Sequence, residues 1–235
     1  MNATSEYSAK RKVTLVQARA DGAARLDPNG PPEERIVQAC WSCQGPVAAG
    51  DPFCPSCKAV QPPGQADHFQ RLGLPRGFEI DTAALEKSYF QMQRLLHPDR
   101  FATRTPKEKT LSQQQATSLN DAYETLKDPL DRAVYLAHLK GLDVLKEGCN
   151  TLSDPVILME AMEMREALDE AETAEDLSAM TKHTQGEIAD CESELSGAFA
   201  AQDLDKAAAL ITRLKYLRKL ADDTRARRAE LRGRG

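Results

Sequence analysis

The chain has 235 residues, 41% of them apolar and 29% charged, with a formal net charge of −5. That balance excludes a wholly disordered chain, no apolar run is long enough to span a membrane, and the acidic net charge gives no support for a protein that coats nucleic acid. Aromatic residues make up only 5%, with one Trp, which moves the expected class from β-sandwich or barrel to helix.

Residues 1–37 hold Gly, Pro and scattered charge and read as a flexible tail. The basic cluster Lys10-Arg11-Lys12 fits a transit peptide, but Glu6, Asp21, Asp27, Glu33 and Glu34 argue against one, because such peptides are poor in acids. The tail therefore favours the bacterial cytoplasm, with the mitochondrial matrix as the alternative, and no apolar signal-peptide core is visible.

Residues 38–60 carry Cys40-Trp-Ser-Cys43 and Cys54-Pro-Ser-Cys57. Each CxxC pair can turn two thiolates toward one point, and two pairs supply the four tetrahedral ligands of a structural Zn²⁺. Metal binding would organise a segment too short to fold alone. An iron–sulfur cluster is the alternative metal reading, since four Cys also suit iron, and two redox thiol pairs are the non-metal one. Four of six Cys in this pattern fit a reducing compartment better than a disulfide scaffold. Cys149 and Cys191 have no motif partner. Gln61-Pro62-Pro63-Gly64 reads as a linker.

Residues 67–141 read as a helical unit. Asp81 caps a helix to about Leu96, with Leu85, Ser88, Tyr89, Met92, Leu95 and Leu96 on one stripe and Lys87, Gln91 and Arg94 opposite. His97-Pro98-Asp99 follows, and the Pro turns the chain out of the helix. Thr105-Pro106-Lys107-Glu108 is a capping box opening a second helix, with Leu119, Ala122, Tyr123 and Leu126 on one face. A short helix then runs from Leu130 through Ala137 to Gly141. A linker covers 142–153.

Residues 154–232 read as an antiparallel three-helix bundle. Asp154-Pro155 opens the first helix, Thr173 to Asp176 forms a capping box for the second, and Asp203 caps the third. Core stripes run through Ile157, Ala161, Met164, Leu168 and Ala171, and through Leu210, Ile211, Leu214 and Leu217. Leu158, Met159 and Met162 lie off the first stripe among charges. Tyr216 and Leu220 project off the last, and both sets read as a binding surface. The competing reading packs them against the preceding helical unit.

An amphipathic hairpin with His-Pro-Asp at its tip resembles a J-domain. The similarity extends to Asp67-His68-Phe69-Gln70-Arg71-Leu72-Gly73-Leu74 and to Leu119-Asn120-Asp121-Ala122-Tyr123. Residues 38–232 as a whole resemble the HscB family of J-type co-chaperones of iron–sulfur cluster biogenesis. The segments that carry this are Leu158 to Glu170, Arg213 to Leu220, and Asp128-Pro129-Leu130 with Arg132 to Leu136. Many members lack the Cys segment, and this chain resembles the tetracysteine branch.

The resemblance implies an all-α protein, a J-domain hairpin plus C-terminal bundle in an L-shape, preceded by the Cys₄ zinc module. It implies an adaptor that activates a chaperone ATPase, with no catalytic residue and no nucleotide bound by this chain. His97, Pro98, Asp99, Lys87, Gln91, Arg94 and Arg100 would face a seventy-kilodalton heat-shock chaperone. Leu158, Met159, Met162, Glu163, Arg165, Glu166, Glu170 and Tyr216 would hold an IscU-type scaffold protein. Met162 stands where the family commonly has Leu, Tyr216 where it has Phe, and Arg100 where it has Lys. The alternatives are a general J-protein that presents unfolded clients and a zinc-dependent redox enzyme with reactive thiols.

Overall fold

A computed structural model describes residues 37–144 and 155–233. The tail with Lys10-Arg11-Lys12, Cys149 and the cap assigned to Asp154 lie outside these residues. The chain divides into two compact units at Gln65/Ala66.

The first unit contains two three-residue strands, β1 (Val37–Ala39) and β2 (Pro46–Ala48), paired antiparallel, and an isolated bridge between Phe53 and Val60. Its apolar centre is Cys40, Val47 and Cys54. So small a centre cannot by itself offset the entropy of ordering the segment.

The second unit is helical. Its N-terminal portion comprises α1 (His68–Leu72), α2 (Thr82–Leu96), α3 (Pro106–Lys127) and α4 (Pro129–Leu139). The starts follow from side-chain caps. Asp81 accepts from the Ala83 and Ala84 N–H groups, Thr105 and Glu108 form the expected capping box, and Asp128 caps α4. The five-residue α1, itself opened by an Asp67–Gln70 capping box, is too short for periodicity to reveal.

α2 and α3 pack as a hairpin through buried Leu85, Leu96, Leu119, Ala122 and Leu126, with Tyr89 stacked on Tyr123 at 4.1 Å. Leu95, placed on the core stripe by the sequence, is exposed. Ser88, two turns earlier on the same stripe, donates its hydroxyl to the Leu72 carbonyl of α1 at 2.6 Å.

The C-terminal portion is three helices: α5 (Pro155–Glu170), α6 (Ala174–Ala200) and α7 (Leu204–Gly233). Ile157, Ala161, Leu168 and Ala171 are buried as expected, as are Leu210, Ile211, Leu214 and Leu217, and Met164 is half-buried. Leu220 is a correction: it is buried with Leu168, Ala171 and Leu177. A helix with two bundle neighbours buries a wider arc than a wheel with one core direction allows. Arg213 ties the three helices, donating to Glu160 on α5 and Glu187 on α6. The Arg213 guanidinium holds the Glu160 carboxyl below its usual range.

The two helical portions are packed together. Arg218 on α7 reaches both Asp128 carboxylate oxygens at 2.6 Å, and the Phe78 ring stacks on Phe199 at 5.9 Å. The buried Arg132 guanidinium sits 5.0 Å over Phe78 and donates to the Leu126 carbonyl. Burial pushes the Asp128 carboxyl up, but the Arg218 bond and the Leu130 and Asp131 N–H groups outweigh it, and the net direction is down. A carboxyl lowered in the folded state stabilises above its unfolded pKa of about 3.9 and loses that contribution as pH falls through the folded value. Asp128→Asn keeps a helix-capping oxygen but removes the charge. We expect it to melt lower than wild type at neutral pH, with the difference closing in acid as the wild-type carboxylate protonates. Thermal melts of both proteins across pH check this.

Candidate functional site

The four cysteines of the first unit converge. All four Sγ atoms lie within 4.8 Å of one another, with Cys40–Cys57 and Cys43–Cys54 each at 3.7 Å. A tetrahedral ion with four Zn–S bonds of about 2.3 Å sets its sulfurs about 3.8 Å apart.

The same turn is built twice. Cys40 N–H donates to Gly45 O and Gln44 N–H to Cys40 O; Cys54 N–H donates to Ala59 O and Lys58 N–H to Cys54 O. Gln44 and Lys58, each four residues after the first Cys of its pair, adopt left-handed φ of 62° and 61°. At Gly45 a Cβ would stand 3.3 Å from Cys43 Sγ and Ser56 Oγ, so a side chain there would have to push these neighbours aside by a few tenths of an ångström.

Burial opposes ionisation of Cys40, yet the N–H groups of Cys43 and Ser42 and the neighbouring thiols bring it down to about 6. At Cys43 the Gly45 backbone lowers the value, but the crowding thiols, Cys57 first, push it up to about 11. Four sulfurs this close cannot all become thiolates without a cation among them, so the donor set fits a metal ion.

The second candidate region is the tip of the α2–α3 hairpin. His97 ends α2 and caps a 3-10 turn over Pro98–Phe101, its Nδ1 accepting from the Asp99 N–H at 3.3 Å. Buried Ser112 on α3 donates to the Leu96 carbonyl at 2.8 Å and fixes the approach. Arg100 donates to the Arg94 carbonyl at 3.4 Å. His97, Asp99, Arg100, Lys87, Gln91 and Arg94 are all exposed, and Pro98 is half-buried. The outward stripe of α2 also carries Phe90, 49% exposed, which sequence reasoning passed over. Its signal was present: it lies three residues from Lys87 and four from Arg94.

The third region is the outer face of α5. Leu158, Met159 and Met162 are exposed, the two methionines at 63% and 64%, and Val156 joins them at 74%. Val156 was missed, although it precedes Met159 by three residues. Glu163, Arg165, Glu166 and Glu170 are exposed along the same helix, and Arg165 bonds Asp223 of α7 at 3.1 Å. Tyr216 differs from the rest. It is half-buried, and its hydroxyl donates to the Ala161 carbonyl, so it ties α7 to α5 at the edge of the patch. α5 and α7 run in the same direction, since Glu160 meets Arg213 and Arg165 meets Asp223.

Comparison with known proteins agrees with this layout. Residues 67–135 match the DnaJ domain, and residues 153–225 match the HSCB C-terminal oligomerisation domain. The human iron–sulfur cluster co-chaperone protein HscB is 36% identical over 199 residues, covering 82% of this chain and 83% of the human protein. That share exceeds what residues 66–235 could supply alone, so the likeness reaches into the cysteine unit. The co-chaperone protein HscB homolog of Ralstonia nicotianae is 40% identical over 161 residues, covering 67% of this chain and 91% of that protein. The crystal structure of human co-chaperone protein HscB superposes with a TM-score of 0.75 at 34% identity, covering 80% of this chain and 97% of that one. With both domains matched and the shared architecture extending over most of its length, the chain belongs to the HscB family of J-domain co-chaperones of iron–sulfur cluster assembly.

Proposed function

We propose that this chain binds an IscU-type iron–sulfur scaffold protein, delivers it to a dedicated seventy-kilodalton heat-shock chaperone, and stimulates that chaperone's ATP hydrolysis. The observation that carries the reading is the cluster Val156, Leu158, Met159 and Met162, left in water on a helix whose other face is buried in the bundle. Such a patch rimmed by Glu163, Glu166, Glu170 and Arg165 has the anatomy of a protein interface, with an apolar centre and a charged edge. Methionine suits a surface that must adapt to a partner.

At the tip of the α2–α3 hairpin, His97, Pro98 and Asp99 dock on the chaperone, with Lys87, Gln91, Arg94 and Arg100 facing acidic surface. Charges at an interface edge tune encounter and specificity more than affinity. Phe90 contributes apolar area within the same stripe. This chain acts as an adaptor, and ATP is bound by the chaperone. Four reduced thiols require a reducing compartment, which the bacterial cytoplasm and the mitochondrial matrix both provide.

A pull-down from cell extract tests the reading. Recovery of one folded scaffold protein, with extra ATPase stimulation when purified scaffold is added, supports it. Recovery of a heterogeneous set of unfolded clients, with no scaffold effect, makes the chain a general J-protein.

The four cysteines hold structural Zn²⁺ in this reading: Cys40, Cys43, Cys54 and Cys57 fill all four positions and leave none open for substrate. Bound zinc supplies the cross-link that the small apolar centre of the unit lacks. Purified protein should carry about one Zn²⁺ per chain. Cys40→Ser with Cys43→Ser should lose the metal by elemental analysis, while far-UV helicity stays unchanged because the helices belong to a separate compact unit. Zinc retained by the double variant would sink the assignment.

A further inference from the structure

We propose that Gln61 is a positioning residue of the metal centre, donating a hydrogen bond to the Cys40 thiolate and locking the two cysteine turns together. The proposal rests on the zinc reading of the site.

Gln61 sits where the sequence suggests a linker, yet it is 1% exposed. A buried carboxamide is costly unless its polar atoms are paired. The side-chain nitrogen has two hydrogens and faces two acceptors: Cys40 Sγ at 3.3 Å and Ala59 O at 2.8 Å. Rotating the amide by half a turn would set its oxygen against a sulfur and a carbonyl, both acceptors, so the donors must point this way.

The acceptors belong to different turns. Ala59 O also receives the Cys54 N–H at 3.0 Å, the bond that closes the second turn, whereas Cys40 opens the first. Gln61 thus bridges a sulfur of one turn to the backbone of the other. Its own N–H donates to Pro52 O at 2.9 Å, which fixes the bridge in place.

Charge gives this bond its value. A Zn²⁺ held by four thiolates leaves a net charge of about −2, partly in a buried setting. Cys40 has no solvent exposure to relieve its share. The Ser42 N–H at 3.3 Å supplies one donor to that sulfur, and Gln61 adds one from a side chain. Outer partners of this kind orient the ligand, and their loss typically weakens metal affinity about 10–100-fold.

The test uses the full chain, competing zinc against a chromogenic chelator. Gln61→Met keeps the approximate size and removes both donors; Gln61→Glu keeps the shape and puts a carboxylate beside the thiolate. We expect about 10–100-fold weaker zinc binding for the methionine variant and a larger loss for the glutamate variant. Two spectra separate this from space-filling. The sulfur-to-metal charge-transfer band of the Co²⁺-loaded protein should shift when the N–H···S bond is lost. Emission from Trp41, the chain's one Trp, whose indole N–H donates to Val60 O at 2.7 Å, should stay unchanged in the zinc-loaded form. If the methionine variant alters Trp41 emission, the glutamate variant decides, and wild-type affinity there overturns the proposal. Wild-type affinity and an unshifted cobalt band in Gln61→Met overturn it likewise. A wild-type chain that binds no zinc overturns the zinc reading together with it, whereas a tight wild-type site indifferent to Gln61 overturns the proposal alone.

Discussion

Replacing His97 with Gln is expected to reduce chaperone ATPase stimulation to the unstimulated rate. The imidazole is exposed at the hairpin tip, and its Nδ1 caps the short 3-10 turn that carries Pro98 and Asp99. The helices on either side are held from elsewhere: Leu96 and Phe101 are buried, and Ser112 anchors the Leu96 carbonyl. A glutamine therefore removes the ring without opening a cavity in the core. Helicity and scaffold binding should match wild type, so a fall in stimulation would be assigned to docking and not to folding. Stimulation near the wild-type level would remove the tripeptide from the proposed mechanism.

The second large effect concerns the outer face of α5. Changing Leu158, Met159 and Met162 together to Ala should weaken scaffold binding by at least tens of fold. Loss of a central apolar anchor in an interface costs about 2 kcal/mol or more, and each 1.4 kcal/mol is about tenfold. The melting temperature should change little, because all three side chains are exposed and Ala is the best helix former. Stimulation of the chaperone by this chain alone should persist, while the added stimulation by scaffold disappears. Tyr216 belongs in a separate experiment. Its hydroxyl bond to the Ala161 carbonyl makes Tyr216→Ala a destabilising change, whereas Tyr216→Phe keeps the ring and loses one hydrogen bond. A triple variant that melts far lower yet binds scaffold normally once folded would mean these residues serve the bundle.

Much of the helical layout was legible because local chemistry declares it. Asp81, Thr105 with Glu108, and Thr173 with Asp176 each cap the helix that their sequence signature announces. The stripes of α3 and α5 face inward because apolar residues at helical spacing leave a bundle helix one way to turn. The convergence of the four cysteines was legible because two CxxC pairs this close together can turn all four sulfurs toward one point.

The sequence by itself determined the helical class, the helix starts and the cysteine quartet. These follow from interactions spanning a few residues, whose partners stand next to them in the chain. Only the tertiary structure decided where Gln61, Tyr216, Leu220 and Leu95 lie, and that Arg218 grips Asp128 while Phe78 meets Phe199. Each of these depends on a neighbour far along the chain. Burial at such positions is set by how many elements converge on a helix or a turn, and one-dimensional periodicity carries no record of that number.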